Sequence, residues 1–161
     1  MVTIRLAAPA DLIRLGELGA LLVTLHHSFD ADRFVAPTAQ TPGGYGRFLV
    51  GQAAREDAFV LVGEDAGKVV GYIYASVEGA DWMALRGPAG VVQDLVVDPD
   101  RRREGIGRLL LGEALRKLAA SGAPRFVLST AAKNDTAQRM FAAMGFRPTM
   151  VEMTRELPAE D

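Results

Sequence analysis

Apolar and polar residues alternate along some stretches of the chain and recur at helical spacing along others. Val2 to Ala7 alternates, which predicts a first β-strand. Five leucines then recur three or four residues apart, which predicts a helix with one apolar face that ends near Ser28: Leu12, Leu15, Leu18, Leu22 and Leu25. After Pro42-Gly43-Gly44, a second helix is expected over Tyr45 to Glu56.

The second half of the chain continues this pattern with more strands than helices. Further strands are predicted over residues 58–63, 68–77, 91–97, 125–130 and 149–157, and further helices over 106–120 and 134–144. Glu64 to Gly67 reads as a hairpin turn, and residues 158–161 as a frayed tail. The element order β-α-α-β-β-β-α-β-α-β predicts an α+β fold with a mixed sheet.

Composition narrows the class of protein. A chain of 161 residues is expected to form one domain, 1–161, and its 49% apolar and 24% charged residues are ordinary for a globular protein. A net charge of −2 gives no electrostatic reason to expect nucleic acid as a partner. The absence of cysteine from the sequence excludes disulfides, thiolate metal sites and a cysteine nucleophile.

The sequence gives no indication of a membrane span or a signal peptide. No apolar run reaches the roughly 18 residues of a membrane span, so no membrane partner is expected. The N-terminus lacks a charged segment followed by an apolar core, which makes a cytoplasmic location the default expectation.

The most informative stretch lies between the apolar run 91–97 and the helix that follows it. Asp98-Pro99-Asp100 forms a turn, three arginines follow at 101–103, and Gly105-Ile106-Gly107 opens the helix. The N–H groups of a first helical turn lack intrahelical partners, and the helix dipole favours negative charge there. Glycine lets a ligand approach the backbone, and the arginines, with Arg108, suit phosphate groups. The stretch therefore predicts an anion site.

Three kinds of phosphate loop are possible for this stretch. A P-loop needs GxxxxGK followed by Ser or Thr, which is absent from the sequence, and the third glycine of a dinucleotide fingerprint is Leu110 here. A pyrophosphate loop of the form Arg/Gln-x-x-Gly-x-Gly/Ala fits residues 102–107 completely. A basic turn capping an ordinary helix is the fourth interpretation.

With Leu95-Val96-Val97-Asp98-Pro99 before it, the loop resembles motif A of the GCN5-related N-acetyltransferase (GNAT) family. Residues 134–146 resemble motif B, with Asn134, Ala137, Gly145 and Phe146 at the expected places. The resemblance covers nearly the whole chain. It implies a mixed, largely antiparallel central sheet of six to seven strands flanked by about four helices.

The resemblance also implies acetyl-CoA as co-substrate, and no metal. It assigns the cofactor contacts to the backbone of Leu95, Val96 and Val97 at a splayed sheet bulge, to the loop residues Arg102, Arg103, Glu104, Gly105, Ile106, Gly107 and Arg108, and to Asn134 and Phe141. At residue 141 the family often has a tyrosine that protonates the departing thiolate, and this chain has phenylalanine instead. Phe141 is expected either to pack against CoA or to fill the core.

The acceptor side needs a base, because an amine such as that of lysine is protonated at pH 7. Asp94 is the best candidate for the general base, since a charge within an apolar strand is costly unless it has a role or a partner. Simple alternation would place it on one face with Val92 and Val96, and Gln93 on the other. The alternative is an Asp bonded to backbone or to an arginine.

Four further residues are weaker candidates. His27 could serve as the base, and His26 could contact the substrate, although both could be solvated loop histidines. Glu78 could bind a cationic amine or be an ordinary strand-end carboxylate. Trp82 could cover the site or the core.

Taken together, these features predict an N-acetyltransferase that moves an acetyl group from acetyl-CoA to a primary amine, on a small molecule or peptide, by direct attack in a ternary complex. A non-catalytic acyl-CoA-binding sensor or interaction module is the alternative, favoured by Phe141, and a structural protein that has lost the ligand is a third. The last predicted strand could pair two copies as a homodimer.

Overall fold

A computed structural model describes residues 1–159 of the chain. The strands are β1 (Thr3–Leu6), β2 (Ala58–Asp65), β3 (Lys68–Glu78), β4 (Ala89–Val97) and β5 (Phe126–Leu128). The helices are α1 (Leu12–Phe29), α2 (Thr41–Ala53), α3 (Ile106–Ala120) and α4 (Asp135–Ala143), with short 3-10 turns at Pro9–Asp11 and Pro99–Arg101. The bounds of α3 match the sequence prediction, and α2 begins four residues earlier than expected.

The five strands form one sheet in the order β1-β2-β3-β4-β5. The first three pairings are antiparallel, and β4 and β5 are parallel because the helix α3 carries the chain across between them. Ala66 and Gly67 connect β2 to β3, and both have positive φ, as a two-residue type I′ hairpin turn requires. The sheet is therefore mixed, as predicted.

The predicted number of strands was wrong. The sheet has five strands, not six to seven, and its parallel pairing makes "largely antiparallel" slightly off as well. Residues 149–157 were expected to form the last strand, yet they lie in no regular structure and expose their large apolar side chains. An ion pair between Arg33 and Glu152 ties this segment to the loop after α1. Alternation indicates an extended backbone but cannot supply a partner strand.

Each face of the sheet is covered by two helices. On one face, α1 and α2 pack Leu15, Leu18 and Leu49 against Val60, Val62, Tyr72 and Val96. On the other face, α3 and α4 pack Ile106, Leu110, Leu118 and Phe141 against Leu61, Ile73, Ala75 and Val92. Side chains of β3 thus point alternately into two cores, one on each face of the sheet.

None of the helices described within residues 1–159 has the length and hydropathy of a membrane-spanning segment.

The burial of α1 leads to a stability prediction. Leu15 is 0% exposed and Ile13, two residues earlier on the same helix, is 74% exposed. Leu15→Ala should lower the free energy of unfolding by about 2–5 kcal/mol, because it removes buried apolar area and leaves a cavity. The control Ile13→Ala should change it by less than about 0.5 kcal/mol. Urea titration followed by circular dichroism measures both, and equal effects would mean that α1 does not pack as described.

Candidate active site

The centre of the site is a bulge in β4. Tyr74 of β3 is opposite Asp94 and the next residue, Ala75, is opposite Val92, so Gln93 is one residue extra in β4. A bulge reverses the alternation of side chains beyond it. Val92 accordingly packs in the core beneath α3, whereas Val96 packs in the core beneath α1 and α2.

The bulge corrects the faces expected from simple alternation. Asp94 shares a face with Val96, as predicted, but not with Val92. Gln93 was expected to point away from Asp94, yet its amide reaches Ser76 and Glu78, which alternate with Tyr72 and Tyr74 along β3. Both polar residues of the bulge therefore serve the face that α1 and α2 cover.

Asp94 receives two hydrogen bonds, and both come from tyrosines. The hydroxyl of Tyr45 on α2 donates to Oδ2 at 2.6 Å, and the hydroxyl of Tyr72 on β3 donates to the same oxygen at 3.0 Å. In the part of the chain that the structure describes, Oδ1 has no hydrogen-bond partner. Oδ1 is not fully buried, so solvent can reach it. One carboxylate oxygen is thus fixed and the other is available.

The surroundings change the acid–base behaviour of these groups. Burial raises the pKa of the Asp94 carboxyl above its usual value, and the two hydroxyls and the nearby His26 oppose that rise. Burial and the charge of Asp94 raise the pKa of both Tyr45 and Tyr72, so each phenol stays a proton donor at neutral pH. A carboxylate with a raised pKa is a stronger base than a solvated one.

A second polar cluster flanks the bulge. Glu78 accepts from Gln93 Nε2 at 2.8 Å and from Ser76 Oγ at 3.1 Å with one oxygen, and from Arg86 Nη2 at 2.6 Å with the other. The predicted substrate contact Glu78 therefore lies on the Asp94 face, but its charge is partnered by Arg86. Trp82, in the loop that carries Arg86, is 82% exposed and does not cover the core.

The two histidines at the end of α1 have different surroundings. His26 donates through Nδ1 to the carbonyl of Leu22 at 2.9 Å and lies edge-on to Phe34, within electrostatic reach of Asp94. It lines an apolar cleft together with Leu22, Val23, Phe34 and Val35. His27 instead donates to the carbonyl of Phe34 at 2.9 Å, which anchors the loop after α1. The structure thus brings His26, rather than His27, towards Asp94.

An open strand edge continues from the bulge. The short strand β5 pairs only with Gly90, Val91 and Val92, while β4 runs on to Val97. Beyond Val92, no other strand within residues 1–159 pairs with this side of β4. Leu95, Val96 and Val97 thus lie where the predicted splay between the strands would expose their backbone.

The basic loop follows directly from this edge. Asp98 accepts from the N–H of Asp100 at 3.1 Å and pairs with Arg14 of α1, which holds the start of the loop against the fold. Arg103 and Gly105 both have positive φ, and a Cβ added at Gly105 would meet nothing within 4 Å, so the backbone before α3 is open to a ligand. Ile106 begins α3 and is buried, and Gly107 packs beside Met140 of α4.

The charges of the loop are not equally available. Arg101 donates to Glu104 at 2.9 Å and to Asp65 at 2.9 Å, so its charge is neutralised and the Glu104 side chain is turned to it. Only the backbone of Glu104 is therefore left for a ligand. Arg102, Arg103 and Arg108 are exposed and form no ion pair with any residue in the range 1–159.

The motif B residues lie on and before α4. Asn134 caps the helix, its Oδ1 accepting from the N–H of Ala137 at 3.2 Å, which leaves its side-chain NH₂ for other contacts. Phe141 is buried in the core beneath the sheet, edge-on to Phe146. Of the two roles considered for Phe141, the structure supports core filling.

Sequence reasoning missed Tyr45 and Tyr72. Tyr72 could have been suspected, because an Asp within an apolar strand needs a donor and β3 alternates Tyr72 with Tyr74. Tyr45 carried no such signal, since it reaches Asp94 only through the packing of α2. No group of three or more His, Asp or Glu within the described range is arranged to bind a metal ion.

The sequence and the fold are similar to those of known proteins. Mycothiol acetyltransferase of Thermobispora bispora is 32% identical to this chain over 102 residues. The matched stretch covers 61% of this chain and 33% of the relative. The chain thus spans about a third of the length of the curated relatives it matches. A tetramutant of the BH1408 protein of Bacillus halodurans has a TM-score of 0.79 at 26% identity over 97% of this chain and 99% of its own. Aminoglycoside N-acetyltransferase AAC(6')-Iy, solved in complex with CoA, has a TM-score of 0.72 at 17% identity over 98% of this chain and 95% of its own, and so shares the fold. Since the model of the acetyltransferase (GNAT) family matches residues 25–146, the chain belongs to that family.

Proposed function

We propose that the protein is an N-acetyltransferase that transfers an acetyl group from acetyl-CoA to a primary amine by direct attack in a ternary complex. The observation that carries the proposal is the position of Asp94. Its carboxylate lies at the bulge where the open edge of β4 begins, with one oxygen held by two phenols and the other without a partner in the described chain. Membership of the acetyltransferase (GNAT) family and the similarity to mycothiol acetyltransferase support acetyl transfer in general.

The residues present fit the co-substrate. The open edge of β4 offers backbone groups to an extended amide-containing arm, in the manner of an added strand. The loop before α3 offers first-turn N–H groups and the unpaired charges of Arg102, Arg103 and Arg108, which suit a pyrophosphate. Acetyl-CoA supplies an activated acyl group whose thiolate leaves readily, because the pKa of a thiol is near 8.5.

The chain's own residues supply the acid–base chemistry. A lysine-like amine has a pKa near 10.4, so its ammonium form must lose one proton to solvent before the neutral amine can attack. As the N–C bond forms and the C–S bond breaks, Oδ1 of Asp94 accepts the second proton that the nitrogen loses to become an amide, directly or through one water. The thiolate takes a proton from solvent, since Phe141 lacks a hydroxyl.

The acceptor enters from the side of α1 and α2. The cleft of Leu22, Val23, His26, Phe34 and Val35 gives it an apolar wall. Glu78, at the far end of the same face, adds a carboxylate whose charge is shared with Arg86. These features favour a cationic amine with an apolar portion, borne on a small molecule or a peptide.

A non-catalytic acyl-CoA-binding module is the second candidate, and Phe141 favours it. Its ring lies in the core, and phenylalanine has no hydroxyl that could protonate the departing sulfur. Slow hydrolysis of acetyl-CoA without an acceptor separates the two candidates, because a binding module has no need of a positioned base. Failure to hydrolyse acetyl-CoA and to acetylate any amine in a broad screen would favour the module.

The basic loop leads to a binding prediction. Changing Arg102 and Arg103 together to Ala should weaken acetyl-CoA binding about tenfold or more, because charge-assisted hydrogen bonds to phosphate are each worth about 1.5–3 kcal/mol. Arg116 and Arg155, changed together to Ala, form the charge-matched control, and Arg116 is already paired with Glu113. Calorimetric titration of both variants and the wild type measures the effect. Equal affinities would exclude the loop as the pyrophosphate site, and an unmeasurable affinity in the wild type would exclude the co-substrate.

The bulge leads to a prediction about catalysis. Asp94→Asn should lower kcat by about 10²–10⁴ and leave the Kd for acetyl-CoA unchanged, because the amide cannot accept the proton. Glu17→Gln on α1 is the control, since Glu17 is an exposed carboxylate paired with Arg14. In the wild type, kcat/KM should fall as the pH drops through the raised pKa of Asp94, because the base must be ionised. A kcat within about threefold of wild type in Asp94→Asn would exclude Asp94 as the base.

A further prediction concerns the missing hydroxyl. Phe141→Tyr should change kcat only modestly, since a thiolate leaves without prior protonation more easily than an alkoxide. Steady-state kinetics with a common amine measure this, and the thermal midpoint of the variant reports any cost of placing a hydroxyl in the core. A gain in kcat above about 10² would show that protonation of the thiolate limits the wild-type enzyme.

A further inference from the structure

We propose that Tyr45, seated against Gly19, is a positioning residue that orients the free oxygen of Asp94 towards the acceptor amine. The proposal rests on the proposed function and adds the element that sets the geometry of the base. It assigns to the α1–α2 helix pair a role in catalysis as well as in packing.

The first observation is the closeness of the two helices. A Cβ added at Gly19 would lie 2.3 Å from Cδ1 of Tyr45 and 2.6 Å from Cγ, so the tyrosine ring occupies the space that any side chain at residue 19 would need. At Gly16 a Cβ would lie 2.0 Å from the carbonyl oxygen of Pro42, and at Gly46 it would lie 2.4 Å from that of Leu12. Glycine at three places thus lets α2 approach α1 closely, and this approach sets where the Tyr45 ring stands above β4.

The second observation is the direction of the hydrogen bonds. Tyr45 donates to Oδ2 from above the sheet and Tyr72, which is fully buried, donates to the same oxygen from β3. Two donors on one oxygen fix the rotation of the carboxylate and leave the lone pairs of Oδ1 free. Without Tyr45, a single hydrogen bond from Tyr72 would allow the carboxylate to turn.

The third observation is the kind of donor. The groups that face Asp94 are Tyr45 from α2, Tyr72 and Tyr74 from β3, and His26 from α1. The hydroxyl of Tyr74 donates to Gln52 and not to Asp94. No lysine or arginine in the range 1–159 pairs with Asp94. Neutral phenols orient a carboxylate without the strong loss of basicity that a guanidinium causes. The arrangement therefore keeps Asp94 both oriented and basic.

The test compares Tyr45→Phe with Tyr74→Phe. Both changes remove one hydroxyl from a tyrosine on the face that α1 and α2 cover, but only the first removes a donor to Asp94. The titration of the Asp94 side-chain carboxyl, followed by carbon-detected NMR of the protein without acetyl-CoA, should move to higher pH by about 0.5–1 unit in Tyr45→Phe, because the hydrogen bond favours the ionised form. Tyr74→Phe should titrate like the wild type. An unchanged titration in a folded Tyr45→Phe protein would overturn the proposal.

The role of Gly19 has its own variant. Gly19→Ala should displace the Tyr45 ring and move the Asp94 titration in the same direction as Tyr45→Phe. Gly51→Ala, in α2 at a position where a Cβ meets nothing within 4 Å, should leave the titration unchanged. A folded Gly19→Ala protein with the wild-type titration would remove Gly19 from the proposal. If Gly19→Ala does not fold, Tyr45→Phe alone decides.

Kinetic measurements separate an effect on the orientation of the Asp94 carboxylate from an effect on the stability of the fold. In Tyr45→Phe the acid limb of kcat/KM should move to higher pH by the same amount as the NMR titration, and kcat should fall while the Kd for acetyl-CoA stays constant. A loss of activity with an unmoved acid limb and an unmoved titration would indicate a structural role only. If no variant, wild type included, acetylates any amine, the proposed function fails, and the NMR titration still decides whether Tyr45 controls Asp94.

Discussion

The extra residue in β4 is the constraint on which the site depends. Without the bulge, with Gln93 as a regular member of the ladder, the two-residue period of β4 would place Asp94 on the same side as Val92, in the core beneath α3, where a carboxylate would find no donor. With it, Asp94 turns to the tyrosines and the pairing with β5 ends at Val92. One irregularity thus aims a carboxylate and coincides with the start of an open strand edge, two features that an acyl transfer between an extended donor and an amine requires.

The two helix layers contribute different residues around the bulge. Below the sheet, α3 presents its N-terminus and the unpaired arginines at the end of β4, while α4 closes the core with Phe141. Above the sheet, α1 and α2 supply the tyrosine that reaches Asp94 and the cleft beside His26. The ion pair between Arg14 of α1 and Asp98 joins the upper helix layer to the start of the basic loop. The α1–α2 layer and the basic loop are therefore held together by a direct contact.

What the sequence could predict follows from how local each signal is. The loop before α3 and the bounds of α3 were predictable, because glycine, arginine and a helical period act within a few residues. The face of Val92 and the partners of Asp94 were not, because a bulge is a property of the pairing between β3 and β4. The failed strand over residues 149–157 has the same origin, since its alternation was present and its partner strand was absent from the described chain.

The carboxylates of the structure differ in the kind of donor that holds them. Asp11 is held by Arg5, whose hydrogen bonds lower the pKa of Asp11, and Asp98 is held by Arg14 and the N–H of Asp100. Such pairs stabilise the ionised form so strongly that the oxygen is a poor proton acceptor. Asp94 is buried as well, yet its partners are phenols and burial raises its pKa. The neutral donors therefore leave Asp94 the basicity that its proposed role as proton acceptor needs.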